Sequence, residues 1–235
     1  MRTIVVTGGA TGIGRATAER FRADGDDVVI TGRRADVLEK TAAELGARAV
    51  VCDATDPAQV QGLLDELPEQ VDVLVNNAGG NTVFGGADGD LARLKADWLG
   101  NLEANLISAV LTTAALGPRL TTAAVHLGSI AGARGAGSYG ASKAALAIWN
   151  ADAAAELGPR GVTSNVVAPG FTAGTEFFKG RLTGERRETL LQATLTKREG
   201  QVADIAGTIH FLASPAARHI TAQVLHVNGG AYITR

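Results

Sequence analysis

Short runs of β-branched and aliphatic residues alternate along the chain with longer stretches whose apolar positions recur at helical spacing. Thr3–Val6 reads as a first strand and Gly12–Ala23 as the helix after it. Asp27–Thr31 and Ala47–Cys52 read as the second and third strands, with a helix over Ala35–Leu45 between them. Pro57 sits where a helix can begin, and Gln59–Leu67 continues it. Asp72–Val75, Ala123–Leu127, Val162–Val167 and Gln223–Val227 read as four more strands. Strands apolar on both sides and separated by helices imply a parallel sheet covered on both faces. No linker, repeat, low-complexity tract or charge run divides the 235 residues. That length suits one α/β domain with a large core, so the pattern predicts a single doubly wound domain over 1–235.

Two helical stretches, Leu99–Leu116 and Tyr139–Leu157, are apolar or alanine around most of their circumference. Such helices bury more than one side, either under the chain's own loops or against a second subunit. A homo-oligomer, dimer or tetramer, is therefore expected. Aromatic residues are only 4% of a chain that is 46% hydrophobic, so the core must be aliphatic. A net charge of -2 argues against a nucleic-acid footprint. The one cysteine, Cys52, lies in an apolar run and reads as a buried, inert thiol. The first residues run straight into a strand with no leader, and no apolar run has the length of a membrane span. These features predict a cytoplasmic protein with no membrane partner. His126, His210, His219 and His226 show no ligand spacing, so no metal site is expected.

Chemistry enters at the first turn. Thr7-Gly8-Gly9-Ala10-Thr11-Gly12-Ile13-Gly14 follows a strand and opens a helix, where glycines let the backbone approach a pyrophosphate held by the helix N-terminus. The second strand ends at Gly32 and is followed by Arg33 and Arg34, with Arg15 nearby. An acidic residue at that tip would bind a ribose 2′-hydroxyl, whereas an arginine accommodates a 2′-phosphate. NADP(H) is thus favoured over NAD(H), and the alternative is that the arginines only solvate a helix start. Asp53, after the third strand, is placed to accept a hydrogen bond from adenine, or else belongs to the next helix start with Thr55 or Asp56 as its cap. Asn76-Asn77-Ala78-Gly79 suits a wall packed against a cofactor, or a plain loop.

In Tyr139-Gly-Ala-Ser-Lys143 the phenol and the amine stand four residues apart and emerge on one helix face. A neighbouring ammonium should make the phenol more acidic and useful for proton transfer near neutral pH. The glycine turn, Asn76–Gly79, Ser129, the Tyr139/Lys143 pair and Pro169-Gly170 together resemble the short-chain dehydrogenase/reductase family, from residue 1 to Asn228-Gly-Gly230. The resemblance implies a Rossmann-type fold with a seven-stranded parallel sheet, and an enzyme acting on a carbonyl (ketone, aldehyde or oxoacyl) or an alcohol by hydride transfer.

The resemblance also implies roles for individual residues. Tyr139 would be the acid in reduction and the base in oxidation. Lys143 would lower its pKa and hold the nicotinamide ribose. Ser129 would hydrogen-bond the substrate oxygen. Asn105 would anchor a water relay to the lysine; Asn101, one turn earlier, is its rival, and the interval from Trp98 favours Asn105. Cofactor contacts would come from Gly8, Thr11, Gly12, Ile13 and Gly14, from Arg33 and Arg34, and from Asp53 and Ala54. Asn77, Ala78 and Gly79, Tyr139 and Lys143, and Pro169, Gly170 and Thr172 would complete them, with Thr175 competing with Thr172.

The loop from Ser129 to Tyr139 and the segment Leu116 to Ala123 are shorter than the family pattern, which puts any familiar substrate in doubt. A lid is expected at about 171–189, with Gly174, Gly180 and Gly184 as hinges and Phe171, Phe177, Phe178 and Leu182 as an apolar cover. Lys179, Arg181, Arg186 and Arg187 make it basic, either to meet an acidic substrate or as a solvated helix face. Two alternatives remain at this level. One is an NAD-dependent alcohol or sugar dehydrogenase. The other is a catalytically silent dinucleotide sensor, which the intact Ser129, Tyr139 and Lys143 oppose.

Overall fold

The structure is a computed structural model and describes residues 1–83, 89–178 and 180–234. Its first half runs β1 (Thr3–Thr7), α1 (Gly12–Ala23), β2 (Asp27–Gly32), α2 (Ala35–Leu45), β3 (Arg48–Val51), α3 (Pro57–Leu63), β4 (Val71–Asn76), α4 (Leu91–Leu102) and α5 (Ser108–Leu116). The second half runs β5 (Leu120–Leu127), α6 (Ala131–Arg134), α7 (Gly137–Leu157), β6 (Thr163–Pro169), α8 (Gly184–Gln192), α9 (Val202–Leu212) and β7 (Val224–Val227). Among the described residues seven strands pair in parallel in the order β3-β2-β1-β4-β5-β6-β7.

Alternation along the strands divides the core. Ile4, Val6, Val28, Ile30, Val73 and Val75 face α1 and α9, where Phe21, Ile205 and Ile209 are fully buried. Val5, Val29, Leu74 and Ala124 face the other way, against Val60, Leu63, Leu116 and Leu157. Burying each large aliphatic side chain contributes about 1.5–3 kcal/mol, so an almost purely aliphatic core suffices without many aromatics. The strand order reverses between β1 and β4, and there the carboxyl ends of the strands open the crevice in which such folds bind ligands.

Several boundaries differ from expectation. The helix expected over Leu99–Leu116 starts at Leu91, capped by Asp90, whose carboxylate accepts from the amides of Ala92 and Arg93. It is interrupted by a π turn at Glu103–Ile107, between α4 and α5. β5 begins at Leu120, because the pairing of Val71 with Leu120 continues the ladder past two threonines that read as polar. The helical run Leu91–Arg119 is long and apolar enough, by length and composition alone, to cross a membrane, contrary to the sequence reading. In the fold its Asn105, Ser108, Thr112 and Thr113 are buried, and Thr112 and Thr113 hydrogen-bond the β4 side chain Asn76, as in a core helix. Cys52 is buried, and burial pushes its thiol pKa up.

Candidate active site

The glycine turn lies at the carboxyl end of β1, with Gly8 and Gly12 in the left-handed region at φ 63° and 55°. A Cβ on Gly14 would stand 2.2 Å from the Gly8 carbonyl and 2.4 Å from Asn77 Nδ2, so α1 approaches the turn as only glycine permits. Asn77 Nδ2 donates to the carbonyls of Thr7 and Gly8 at 3.0 and 2.9 Å, and Thr7 Oγ1 accepts the amides of Asn77 and Ala78. The ends of β1 and β4 are thereby locked together. Thr11 gives α1 no side-chain cap, as is also true at the starts of α2, α5, α6 and α7. The first amides of α1 are left for an outside acceptor, and the cradle fits the pyrophosphate of a dinucleotide.

Three arginines surround the neighbouring end of the crevice, each facing a carboxylate. Arg15 pairs with Glu44 at 2.7 Å, Arg33 with Asp53 at 3.8 Å, and Arg34 with Glu176 at 3.1 Å. Asp53 Oδ1 accepts from the amide and hydroxyl of Thr55, and Asp56 caps α3. Burial opposes the charge on Asp53, but the Thr55 hydrogen bonds and Arg33 together hold its carboxyl below the ordinary value. The turn-forming reading of Asp53 is thus realised in part. Ala54 is buried beside it, and Ile13 packs on the core under the turn.

Tyr139 and Lys143 project from one side of α7, 8% and 4% exposed. Lys143 Nζ donates to the Leu127 carbonyl at the end of β5, at 2.6 Å. Ser129 Oγ accepts the Ala131 amide at 3.1 Å, and the serine hydroxyl also hydrogen-bonds the phenol. The expectation of an acidified phenol is reversed here. Burial pushes Tyr139 up to about 12, eased by Ser129, and burial brings Lys143 down to about 7. Desolvation penalises the charged form of each group and is the largest cause of both shifts.

Asn105 sits in the π turn, a feature frequent at functional sites. Its Oδ1 accepts the Gly80 amide at 2.9 Å, and its Nδ2 donates to the carbonyls of Gly80 and Asn101. A Cβ on Gly79 would stand 2.6 Å from that Oδ1. Asn101 instead donates to Ser138 Oγ at 2.9 Å and accepts from the Thr82 amide. It braces the residue preceding Tyr139, a role the sequence reading missed. Gly170 donates its amide to Val227 and lies against Asn228. Thr172 turns its hydroxyl onto the Gly170 carbonyl, whereas Thr175 lies against the glycine turn, its Cα 3.6 Å from where a Gly12 Cβ would be. Lys179 lies outside the described residues.

The sequence reading also passed over His126. It is fully buried in β5, its Nδ1 3.0 Å from Asn76 Nδ2 and its Nε2 3.0 Å from Ser164 Oγ. Ser164 in turn donates to Asn150 Oδ1 at 2.9 Å. Burial, with Lys143 nearby, takes the His126 pKa down to about 3. A histidine inside an apolar strand gives no local sign of this cross-sheet network, since its partners come from β4, β6 and α7.

A family model described as enoyl-(acyl carrier protein) reductase matches residues 8–232. The chain is 35% identical over 242 residues to a 3-oxoacyl-(acyl-carrier-protein) reductase of Escherichia coli K12, covering 97% of this chain and 96% of that one. A short-chain dehydrogenase/reductase of Brucella melitensis, described as a glucose/ribitol dehydrogenase, superposes with a TM-score of 0.90 at 33% identity, over 99% and 97% of the two chains. A 7α-hydroxysteroid dehydrogenase complexed with NADH and 7-oxo glycochenodeoxycholic acid superposes with a TM-score of 0.88 at 32% identity, over 97% and 93%. The chain belongs to the short-chain dehydrogenase/reductase family. It is an NAD(P)-dependent oxidoreductase that interconverts CH–OH and C=O groups on a small-molecule substrate.

Proposed function

We propose that the chain is an NADP(H)-dependent carbonyl reductase working through Ser129, Tyr139 and Lys143, with ketones or oxoacyl thioesters as the substrate class. The carrying observation is the buried Tyr139, which keeps its proton through neutral pH while hydrogen-bonded to Ser129. A phenol loaded in this way suits proton donation to a reduced carbonyl. The bound nicotinamide supplies the hydride. Ser129, whose Oγ accepts the Ala131 amide, turns its O–H from the phenol to the substrate oxygen as charge builds there. Lys143, anchored to the Leu127 carbonyl, holds the nicotinamide ribose beside Tyr139 Oη, and Asn105 keeps the Gly80 backbone and the π turn in place behind it. The glycine cradle of Gly8, Gly12 and Gly14, walled by Asn77, Ala78 and Gly79, takes the pyrophosphate, and Pro169 and Gly170 flank the nicotinamide.

Gly32 at the tip of β2, followed by Arg33 and Arg34, supports the 2′-phosphate reading. The segment 171–189 is the lid, and exposed apolar residues on α4, the π turn and α7 (Trp98, Ile107 and Ile148) support a homo-oligomer through those elements. A specific observation favours a second reading, an NAD-dependent alcohol or sugar dehydrogenase: each of the three arginines already has a carboxylate partner. Titration with NADPH and NADH, followed by nicotinamide fluorescence, decides between them. Tighter NADPH binding is expected, and a preference for NADH overturns the NADP(H) reading.

A further inference from the structure

Of the three arginines, only Arg34 draws its partner from the far end of the chain. Arg34 Nη2 donates to Glu176 Oε2 across 142 positions of sequence. Glu176 belongs to a short unit between two left-handed glycines, Gly174 at φ 73° and Gly180 at φ 75°. The root of that unit is fixed, since Ala173 donates its amide to Gly200 and Gly200 donates its own to Phe171. Three successive residues of the unit then touch three parts of the site. Thr175 lies on Gly12 of the cradle, Glu176 on Arg34, and the Phe177 ring on the Tyr139 ring at a centroid distance of 5.3 Å. Phe178 backs Phe177 at 5.1 Å and reaches Phe171, at the root, at 6.0 Å. The phenol is covered by the segment that also holds the arginine.

We propose that Glu176 is a cofactor-selectivity residue, its carboxylate occupying Arg34 where a cofactor 2′-phosphate binds. The inference rests on the reading of Arg34 given under Proposed function. A phosphate monoester carries about -1.5 to -2 charge and three strong acceptor oxygens, against a single charge on a carboxylate, so it displaces Glu176. Release of Glu176 lifts Phe177 from Tyr139 and opens the substrate side. A cofactor with a free 2′-hydroxyl leaves the latch closed. Selectivity then acts on opening as well as on binding. The flanking pairs, Arg33 with Asp53 and Arg15 with Glu44, stay within the cofactor half of the chain and do not move the lid.

The test is a fluorescence titration of the wild-type chain, Glu176→Gln, Arg34→Gln and the double variant with NADPH and NADH, together with carbonyl turnover for each. Glu176→Gln is expected to tighten NADPH by about two- to fivefold, the range an exposed ion pair of this kind sets. It should leave NADH affinity unchanged while raising NADH-supported kcat/KM, because Phe177 is no longer held down. The gain in NADPH affinity should vanish in the Arg34→Gln background. An unchanged NADPH affinity in Glu176→Gln, or a gain that survives without Arg34, overturns the latch. A wild type that prefers NADPH while Glu176→Gln is inert removes the latch alone. A wild type that prefers NADH but shifts towards NADPH on Glu176→Gln supports the latch and removes the NADP(H) reading instead.

Discussion

At the catalytic end of the crevice the ionisable groups are buried and single, whereas at the adenosine end they are exposed and paired. Among the described residues Tyr139 and Lys143 have no carboxylate hydrogen-bond partner and are held by Ser129 and by the Leu127 carbonyl. Arg33, its side chain 76% exposed, and Arg34 instead pair with Asp53 and Glu176 at the surface. In the first region desolvation sets the protonation states, so proton chemistry is built into the packing and changes little with conditions. In the second region each pair is worth about 0–1 kcal/mol, and a ligand can rearrange them. On the proposed function, the fold thus fixes the reaction at one end and leaves partner choice adjustable at the other.

The largest expected effect tests the fixed end. Tyr139→Phe keeps the ring against Phe177 and removes only the proton donor. Turnover should fall by about 10²–10⁴-fold, the usual contribution of a positioned general acid, with cofactor affinity and unfolding midpoint unchanged. A Phe variant with wild-type kcat would mean that the buried phenol does not carry the proton. The direction of the pKa shift adds a second expectation. With Tyr139 protonated up to about 12, reduction should hold its rate through neutral pH and alcohol oxidation should rise towards alkaline pH.

His126 tests how much of the fixed end depends on the network beneath it. Asn76 donates its amide to Nδ1, so Nε2 carries the proton and donates to Ser164, which donates to Asn150. The chain of bonds requires neutral His126. His126→Leu leaves Asn76 and Ser164 each short of a partner and should destabilise the chain by about 2–4 kcal/mol in urea unfolding. The sign with pH follows from a folded pKa near 3 against an ordinary 6.5. Stability from this group is complete above about pH 6.5 and is lost progressively as pH falls from there to about 3, by roughly 5 kcal/mol in all. The Leu variant should lack that acid slope, and an identical slope in both proteins would place the acid-sensitive group elsewhere.

The same contrast explains what the sequence made legible. Gly12–Ala23 and Ala35–Leu45 were readable to the residue, because their apolar periodicity and flanking glycines are local signals. Tyr139 and Lys143 were readable from helical spacing on α7, and Ser129 at the end of β5 from the family resemblance. The π turn at Asn105 has no period of its own and hides inside an apolar helix. Asn101 with Ser138, His126 with Ser164, and Glu176 with Arg34 are pairings across 37, 38 and 142 positions, fixed only by packing. The reversed Tyr139 pKa was missed for the same reason. Spacing predicts which groups are neighbours, but the depth of burial decides which charge they can keep.

The smallest effect, salt, separates the two regions without a mutation. Raising ionic strength from about 0.05 to 0.5 M shortens the screening length from about 14 to 4 Å. Arg15, Arg33 and Arg34 are exposed and, on the proposed reading, meet the far end of the cofactor, so the Kd for NADPH should rise by about three- to tenfold. NADH, with no 2′-phosphate, should weaken less. Tyr139 and Lys143 lie in a medium that ions do not enter, so kcat at saturating cofactor and carbonyl should hold constant across the series. A kcat that falls in step with NADPH affinity would show that the buried pair senses bulk salt, and the division between a fixed and an adjustable end would not stand. A flat kcat with a steep NADPH Kd would locate the adjustable electrostatics at the arginines and leave the lid pair, Arg34 with Glu176, as the place where binding is converted into access to Tyr139.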